Sequence, residues 1–272
     1  MGAGRWGAVT AALVGVSVVN VPAAHAADTG VAVTGLVING GKPIVVGTRG
    51  ELEVPARFAA NLPAKYDLAK TKMSVYPFLY RGDLKKAADT RKNFMGGRGS
   101  LYWQYENGPR KWRYEGTFLV EPNRKWGEID SNADATTWKV GVHILLIKKG
   151  GGYIEEYETR RATVAVKRAS KVTGAAAPGT VDKGKKISVT GDLTRVNWDT
   201  MKTGAYGARD VSLQFRAVDA TSFKTVKAVR TTSAGALKTT VNASVDGFYR
   251  WVYAGDAATA AATSAALYVD VR

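Results

Sequence analysis

The 272-residue chain has no cysteine and only two histidines. Without cysteine there is no disulfide, no thiol nucleophile, no Cys-ligated zinc and no lipobox to carry a lipid anchor. His25 lies in the apolar N-terminal leader, which leaves His143 as the one imidazole of the remaining chain. A serine triad or a zinc-activated water would have to be built on it. On its strand pattern His143 faces away from Trp138 and Val140, and no nucleophile-elbow motif accompanies it. After the leader no apolar run approaches a membrane span, and no segment sustains a helical period with caps. These absences point away from an enzyme and from a bound cofactor. They leave a β-rich chain with a structural or surface His143.

The leader itself is informative. Arg5 supplies a thin positive start, residues 8–21 (AVTAALVGVSVVNV) an apolar core too short to cross a bilayer, and Ala24, His25 and Ala26 a small-x-small cleavage site. The expectation is a signal peptide over 1–26 and a secreted, extracellular or wall-associated chain beginning at Ala27. The formal charge is +16. Arg5 accounts for 1; residues 27–168 hold 24 Lys+Arg against 15 Asp+Glu (+9), and 169–272 hold 14 against 8 (+6). Two basic halves favour polyanionic surroundings such as a teichoic-acid wall, anionic headgroups or nucleic acid, or serve solubility alone. No specific nucleic-acid motif is present.

Period-two alternation dominates the rest. In residues 184–218, Ile187, Val189 and Leu193 alternate with Lys186, Ser188 and Asp192, and Val211, Leu213 and Phe215 with Ser212, Gln214 and Arg216. Two half-buried strands follow, joined through a looped-out segment carrying Trp198. Further strands are expected at 223–232, 237–243, 248–254 and 266–271. Tyr249, Trp251 and Tyr253 share the core face, and residues 256–265 form an Ala/Thr-rich loop of little chemical information. Six or seven strands in about a hundred residues match an immunoglobulin-like sandwich. Upstream, residues 31–38, 51–58, 73–80, 138–148 and 153–166 read as strands, Trp138, Val140, Val142, Ile144 and Leu146 forming one face. Pro77 places its strand at an edge or bulge. Residues 81–99 read as a long loop or a short helix near 84–92, and 61–132 carry no pattern that fixes the fold in detail. The fold class expected is all-β: two tandem β-sandwich modules, 27–168 and an immunoglobulin-like 169–272, after a cleaved signal peptide.

The second module resembles uncharacterised actinobacterial secreted proteins with a C-terminal immunoglobulin-like module, sometimes labelled calcium-binding. The resemblance is carried by Lys183, Gly184 and Lys185 leading into Val189, Thr190 and Gly191, then Asn197 and Trp198, residues 211–216 (VSLQFR), Thr225, Val226 and Lys227, residues 237–241 (LKTTV), Asp246 and Gly247, and Arg250 and Trp251. Residues 39–47 (NGGKPIVVG) resemble the start of the first module of the same group. It implies no active site to carry over. Members with a cysteine pair in the first module differ from this chain.

Three constellations bear on function. In residues 98–126, Tyr102, Trp103, Tyr105, Trp112, Tyr114 and Trp126 interleave with Arg98, Arg110, Lys111, Arg113, Arg124 and Lys125. Aromatic faces stack on sugars or bases while guanidinium and ammonium groups take phosphate or carboxylate. Trp103, Arg110, Lys111, Trp112 and Arg113 are thus the candidate contacts for a cell-wall polyanion or polysaccharide, with reversal of the three cations expected to leave stability nearly unchanged. The same alternation equally describes a hairpin whose Trp and Tyr fill the core. Asp130, Asn132 and Asp134 have the opening spacing of an EF-hand loop, but Ala135 stands where a glycine turns the loop and Gly141 where a glutamate closes it. A polar turn is the competing reading, and no other metal set is present. Arg81, Gly82 and Asp83 spell an adhesion tripeptide too short to support a function. The preferred expectation is a non-catalytic protein binding an anionic or glycan polymer of the envelope or its surroundings. The alternatives are a secreted hydrolase with an unrecognised carboxylate site, in which Glu155, Glu156 and Glu158 otherwise read as a solvated face with Arg160 and Arg161, or a calcium-binding extracellular module.

N-terminal sequencing of the protein recovered from culture medium should begin at Ala27; a retained leader in a membrane fraction would refute the export reading.

Overall fold

The computed structural model describes residues 28–96, 99–105, 108–122, 128–177 and 179–272, with the backbone alone at 99, 100, 102–105 and 175–177. The protein is all-β, built as two β-sandwich modules, the second immunoglobulin-like. By compactness the described chain divides into one unit of residues 28–44, 49–130 and 137–166 and a second of 45–48, 131–136 and 167–272. No helix among the described residues is long and apolar enough to cross a membrane.

The described chain opens with β1 (Ala32–Ile38) and β2 (Ile44–Val46), whose residues 45–46 group with the second unit; β3 (Leu52–Asn61), β4 (Thr71–Tyr80), α1 (Leu84–Thr90), β5 (Phe94–Gly96), β6 (Gly99–Tyr105) and β7 (Lys111–Val120) of the first unit follow. The first unit ends with β8 (Thr137–Lys148) and β9 (Tyr153–Arg168), the last two residues of β9 grouping with the second unit. One sheet runs β1–β3–β7–β6 and the other β2–β9–β8–β4–β5. Their inner faces meet in a core of Val33, Phe58, Trp112 and Tyr114 against Val75, Val142, Ile144 and Leu146. The alternation along β8 thus does what its period requires: every second residue is desolvated. β5 pairs only with residues 78–80 of β4, so Pro77 sits where that side of β4 has no described neighbour and its missing N–H costs no ladder bond. Residues 81–99 contain a short helix: the Asp83 carboxylate caps it by accepting from the Lys86 N–H at 2.8 Å, and Arg91 closes it in the left-handed conformation. The adhesion-like tripeptide is therefore the entry to a helix, and the Gly82 carbonyl accepts from Lys139 Nζ at 3.1 Å.

The second unit comprises β10 (Ser170–Ala177), β11 (Thr180–Val181), β12 (Lys186–Asn197), β13 (Lys202–Ala205), β14 (Asp210–Ala217), β15 (Lys224–Arg230), β16 (Ala236–Asn242), β17 (Gly247–Tyr253), β18 (Ala262–Thr263) and β19 (Leu267–Val271). β10, β12, β13 and β16 form one sheet; the other runs β11–β19–β17–β14–β15 with β18 beside β17. The short β11 pairs parallel to the last strand, while the remaining ladders of the unit are antiparallel, giving the two-sheet crossover topology of an immunoglobulin-like sandwich. Ile187, Val189, Leu193, Leu213 and Trp251 are fully buried between the sheets and Phe215 packs against them.

Trp251 sets the spacing. Its Nε1 donates to the Thr190 carbonyl of the opposite sheet at 2.8 Å, and its ring lies over Gly174 and Gly191, which are register partners on β10 and β12. A Cβ on either glycine would stand 2.9 Å from the Trp251 ring, and one on Gly191 would also collide with the Thr173 carbonyl oxygen, so the indole and the neighbouring backbone together require a bare glycine pair. Trp198, in the β12–β13 connection, plays the same part for the borrowed segments. It is fully buried, its Nε1 donating to the Gly47 carbonyl at 2.9 Å and its backbone N–H to Asn132 Oδ1 at 3.0 Å.

Gly191→Ala should destabilise the protein by about 1–3 kcal/mol through overpacking, and Trp251→Ala by about 3–5 kcal/mol. Gly204→Ala, at an exposed strand position with open space around it, should stay within about 0.5 kcal/mol of the parent. Urea unfolding monitored by near-UV circular dichroism checks all three; equal effects of the two alanines would contradict the glycine slot.

Candidate functional site

The cations expected around 98–126 do different work from one another. Arg110 donates through Nη1 to the carbonyls of Pro63 and Tyr66, both at 2.9 Å, and so pins the 62–66 segment. Reversing its charge would cost stability, a correction to the expectation drawn from sequence, because a carboxylate there would face the two carbonyls that the guanidinium now bonds. Trp112 is 9% exposed and belongs to the first core, as does Tyr114, which stacks on Phe58 at 4.7 Å. Lys111 is half-buried and Arg113 exposed on the opposite side of β7 from Trp112. Trp103 pairs through its backbone with Tyr114; its side chain, and Arg98, Arg124, Lys125 and Trp126, lie outside the described residues. Asn61, Arg110 and Lys111 line a depression of ≈ 550 Å³ near the 108–110 turn, and a second, of ≈ 270 Å³, lies between residues 36–43 and 162–165; neither has a carboxylate or imidazole among its lining residues.

Two of the three EF-like residues, Asn132 and Asp134, are engaged in turn and strand contacts. Asp134 is buried and accepts from the Ser131 N–H at 2.9 Å in a capping box. Asn132 donates to Asn197 Oδ1 at 2.9 Å and binds the Asp199 carboxylate through its backbone and side-chain amides, while Asp130 is exposed. Among the described residues no three His, Cys, Asp or Glu side chains stand together as metal ligands. Gly141, the closing position of an EF-hand, lies in β8 beneath the Phe78 ring, where any side chain would collide. His143 bonds Glu155 Oε1 at 2.7 Å and stacks on Tyr157 at 4.4 Å; burial lowers its pKa against the pull of Glu155. Glu156 accepts from the Thr29 N–H and hydroxyl at 2.9 and 2.6 Å, and Glu158 pairs with Arg160 at 2.5 Å.

A different face combines cations and aromatic rings in the open. Because Tyr249, Trp251 and Tyr253 point inward, Phe248 and Arg250 of β17 point out. Cross-strand register sets Arg216 of β14 directly opposite Phe248, and Phe248 opposite Tyr268 of β19, a row across three strands. Arg216 Cζ stands 4.6 Å from the Phe248 centroid, and the Phe248 and Tyr268 rings are 5.3 Å apart. Two residues along β17, Arg250 donates through Nε to Gln214 Oε1 at 3.0 Å and its Cζ lies 3.8 Å from the Phe223 ring. Arg216 is held by the Ala220 carbonyl at 2.8 Å. Among the described residues neither arginine forms an ion pair with Asp or Glu. Stacking on rings fixes both guanidinia without neutralising them, and Tyr268 is 49% exposed beside them. Such a face can take anionic groups on its forks and sugar faces on its rings.

This face was readable in principle. The parity that buries Trp251 exposes Phe248 and Arg250, but only the register of β14 and β19 shows that their outward residues join one row. The 256–265 loop also carries more than its composition suggests. Asp256 Oδ2 accepts from the hydroxyls of Tyr206 at 2.5 Å and Tyr253 at 2.9 Å, and Oδ1 accepts from the Ala258 N–H at 2.9 Å. Burial pushes the Asp256 carboxyl up, yet these hydrogen bonds outweigh it and hold the pKa at about 2.

No protein-family model and no curated protein sequence matches the chain. Among solved structures it is similar to the D00-D0 domain of intimin, at 14% identity over 86% of this chain and 98% of that one, with a TM-score of 0.27. The Yersinia pseudotuberculosis adhesin InvE aligns at 11% identity over 87% of this chain and 58% of its own, TM-score 0.25. The Escherichia coli adhesin FdeC aligns at 19% identity over 91% of this chain and 65% of its own, TM-score 0.24. Scores of this size carry no functional inference.

Proposed function

We propose that the protein is an exported, non-catalytic binding protein that attaches to an anionic or glycan polymer of the cell envelope or its surroundings. The contact would be the outward face of β14, β17 and β19. The observation that carries this reading is the row Arg216, Phe248 and Tyr268 with Arg250 on Phe223: fixed, unneutralised guanidinia between accessible rings. A flexible cation ordered only on binding would lose rotamer entropy, whereas stacked guanidinia lose less. The formal charge of +16 would draw the chain toward a polyanion before contact. Arg113, exposed on β7, offers a comparison position in the first unit.

The test is retention of the full chain on purified cell wall, with and without teichoic acid. Arg216→Glu with Arg250→Glu should weaken retention roughly tenfold or more, the loss expected for charge-assisted contacts. It should lower stability by only about 1–2 kcal/mol through the lost cation–π contacts. Binding to teichoic-acid walls should fall steeply between roughly 50 and 200 mM salt. If a neutral glycan is the ligand, Tyr268→Ala should abolish retention and salt should leave it intact. Retention unchanged by charge reversal, aromatic truncation and salt alike would rule out this face.

A further inference from the structure

The second unit holds an excess of positive charge at the 255–261 loop that its own carboxylates do not answer. The loop is fixed to the chain at 167–170. The Arg168 N–H donates to the Ala258 carbonyl and the Ala260 N–H to the Arg168 carbonyl, both at 3.0 Å, and Lys167 Nζ donates to the Asp256 carbonyl at 2.6 Å. Arg195 donates to Thr259 Oγ1 at 3.3 Å with its Cζ 3.8 Å from the Tyr206 ring, and Arg209 Cζ lies 4.5 Å from the same ring. Four cations, Lys167, Arg168, Arg195 and Arg209, therefore gather where two carboxylates, Asp256 and Asp199, act, a local balance of 4 − 2 = +2. Both carboxylates are already engaged, Asp256 by two tyrosines and a backbone amide, and Asp199 by Asn132.

Arg168 is the anomaly. It is only 8% exposed, on the inward side of the end of β9 that also buries Val166. Its Nε is buried without a hydrogen-bond partner, and its guanidinium forms neither an ion pair nor a side-chain hydrogen bond among the described residues. Burial and the neighbouring Arg195 charge both act against its charged form. A guanidinium whose Nε is buried without an acceptor, beside a second guanidinium, is an arrangement folded proteins seldom keep unless an anion completes it.

We propose that Arg168 and Arg195, with the Thr259 hydroxyl, form a binding site for one small oxyanion of the phosphate class in the second unit. Two guanidinium forks can each take a pair of phosphate oxygens, a match that ammonium groups do not make. The proposal is independent of the outward face: Arg216 and Arg250 belong to the other sheet and none of their contacts is shared with these residues.

The experiment is titration of the full-length mature protein with inorganic phosphate at ionic strength matched with chloride, read by calorimetry and by Tm. Phosphate should bind and raise Tm above the chloride control. Arg168→Gln should weaken binding roughly tenfold or more. Arg195→Gln, at a half-buried position less exposed to folding failure, should do the same and keeps the test decisive if the first variant misfolds. The Arg216→Glu, Arg250→Glu double variant should bind phosphate as the parent does, which separates this site from the proposed polymer face. Diethyl phosphate is the second probe: binding equal to phosphate identifies the phosphodiester of a polymer as the source, and binding of phosphate alone identifies the free ion. Phosphate acting no differently from chloride, or both single variants binding it like the parent, would overturn the proposal.

Discussion

The second sandwich depends on one indole seated on two glycines. Trp251 spans the gap between the sheets, bonds the Thr190 carbonyl and rests on the Gly174–Gly191 pair. The side chain is fully buried, and its position fixes the parity of β17. Once Trp251 is inside, Phe248 and Arg250 have no choice but to face out, and antiparallel register carries the same decision to Arg216 and Tyr268. A one-residue slip of β17 would bury an arginine and expose the tryptophan. The outward row of cations and rings and the core are thus consequences of the same constraint.

The connection at Trp198 extends this logic to segments far away in sequence. Residues 45–48 and 131–136 group with the second unit because Trp198 takes the Gly47 carbonyl and Asn132 satisfies the backbone and side chains at 197–199. Asn132 illustrates how one amide serves as a hub: its carbonyl oxygen accepts one N–H while its amide nitrogen donates to two side-chain oxygens. The polar spacing that resembles a calcium loop is used here to close a turn and tie it to a distant strand.

Strand identity was legible wherever alternation was regular: β8, β12, β14 and β17 bury the residues their parity assigns. Tertiary pairing was not, since period two says which side a residue faces but not which strand lies beside it. That is why Arg216, Phe248 and Tyr268 do not announce themselves as a row, and why Trp112 could be read either as a contact or as core until Phe58 and Tyr114 were placed. Asp256 was invisible for another reason. A single acid in an Ala/Thr-rich loop has no local signal, and its importance comes from Tyr206 and Tyr253, 50 and 3 residues away. Arg168 had a signal that composition hides, since it shares parity with Val164 and Val166 and so was bound for the inside.

The central claim is that the parity set by Trp251 displays Arg216 and Arg250 as the contact for a polymer. The direct measurement is NMR of the arginine Nε–Hε and tryptophan Nε1–H resonances of the full chain while a soluble wall teichoic-acid fragment is added at low salt. The account predicts that Arg216 and Arg250 shift together and saturably while the buried Trp251 Nε1–H stays in place. Shifts confined to Arg113 and the β7 strand, or no shift in either arginine at saturating fragment, would contradict it.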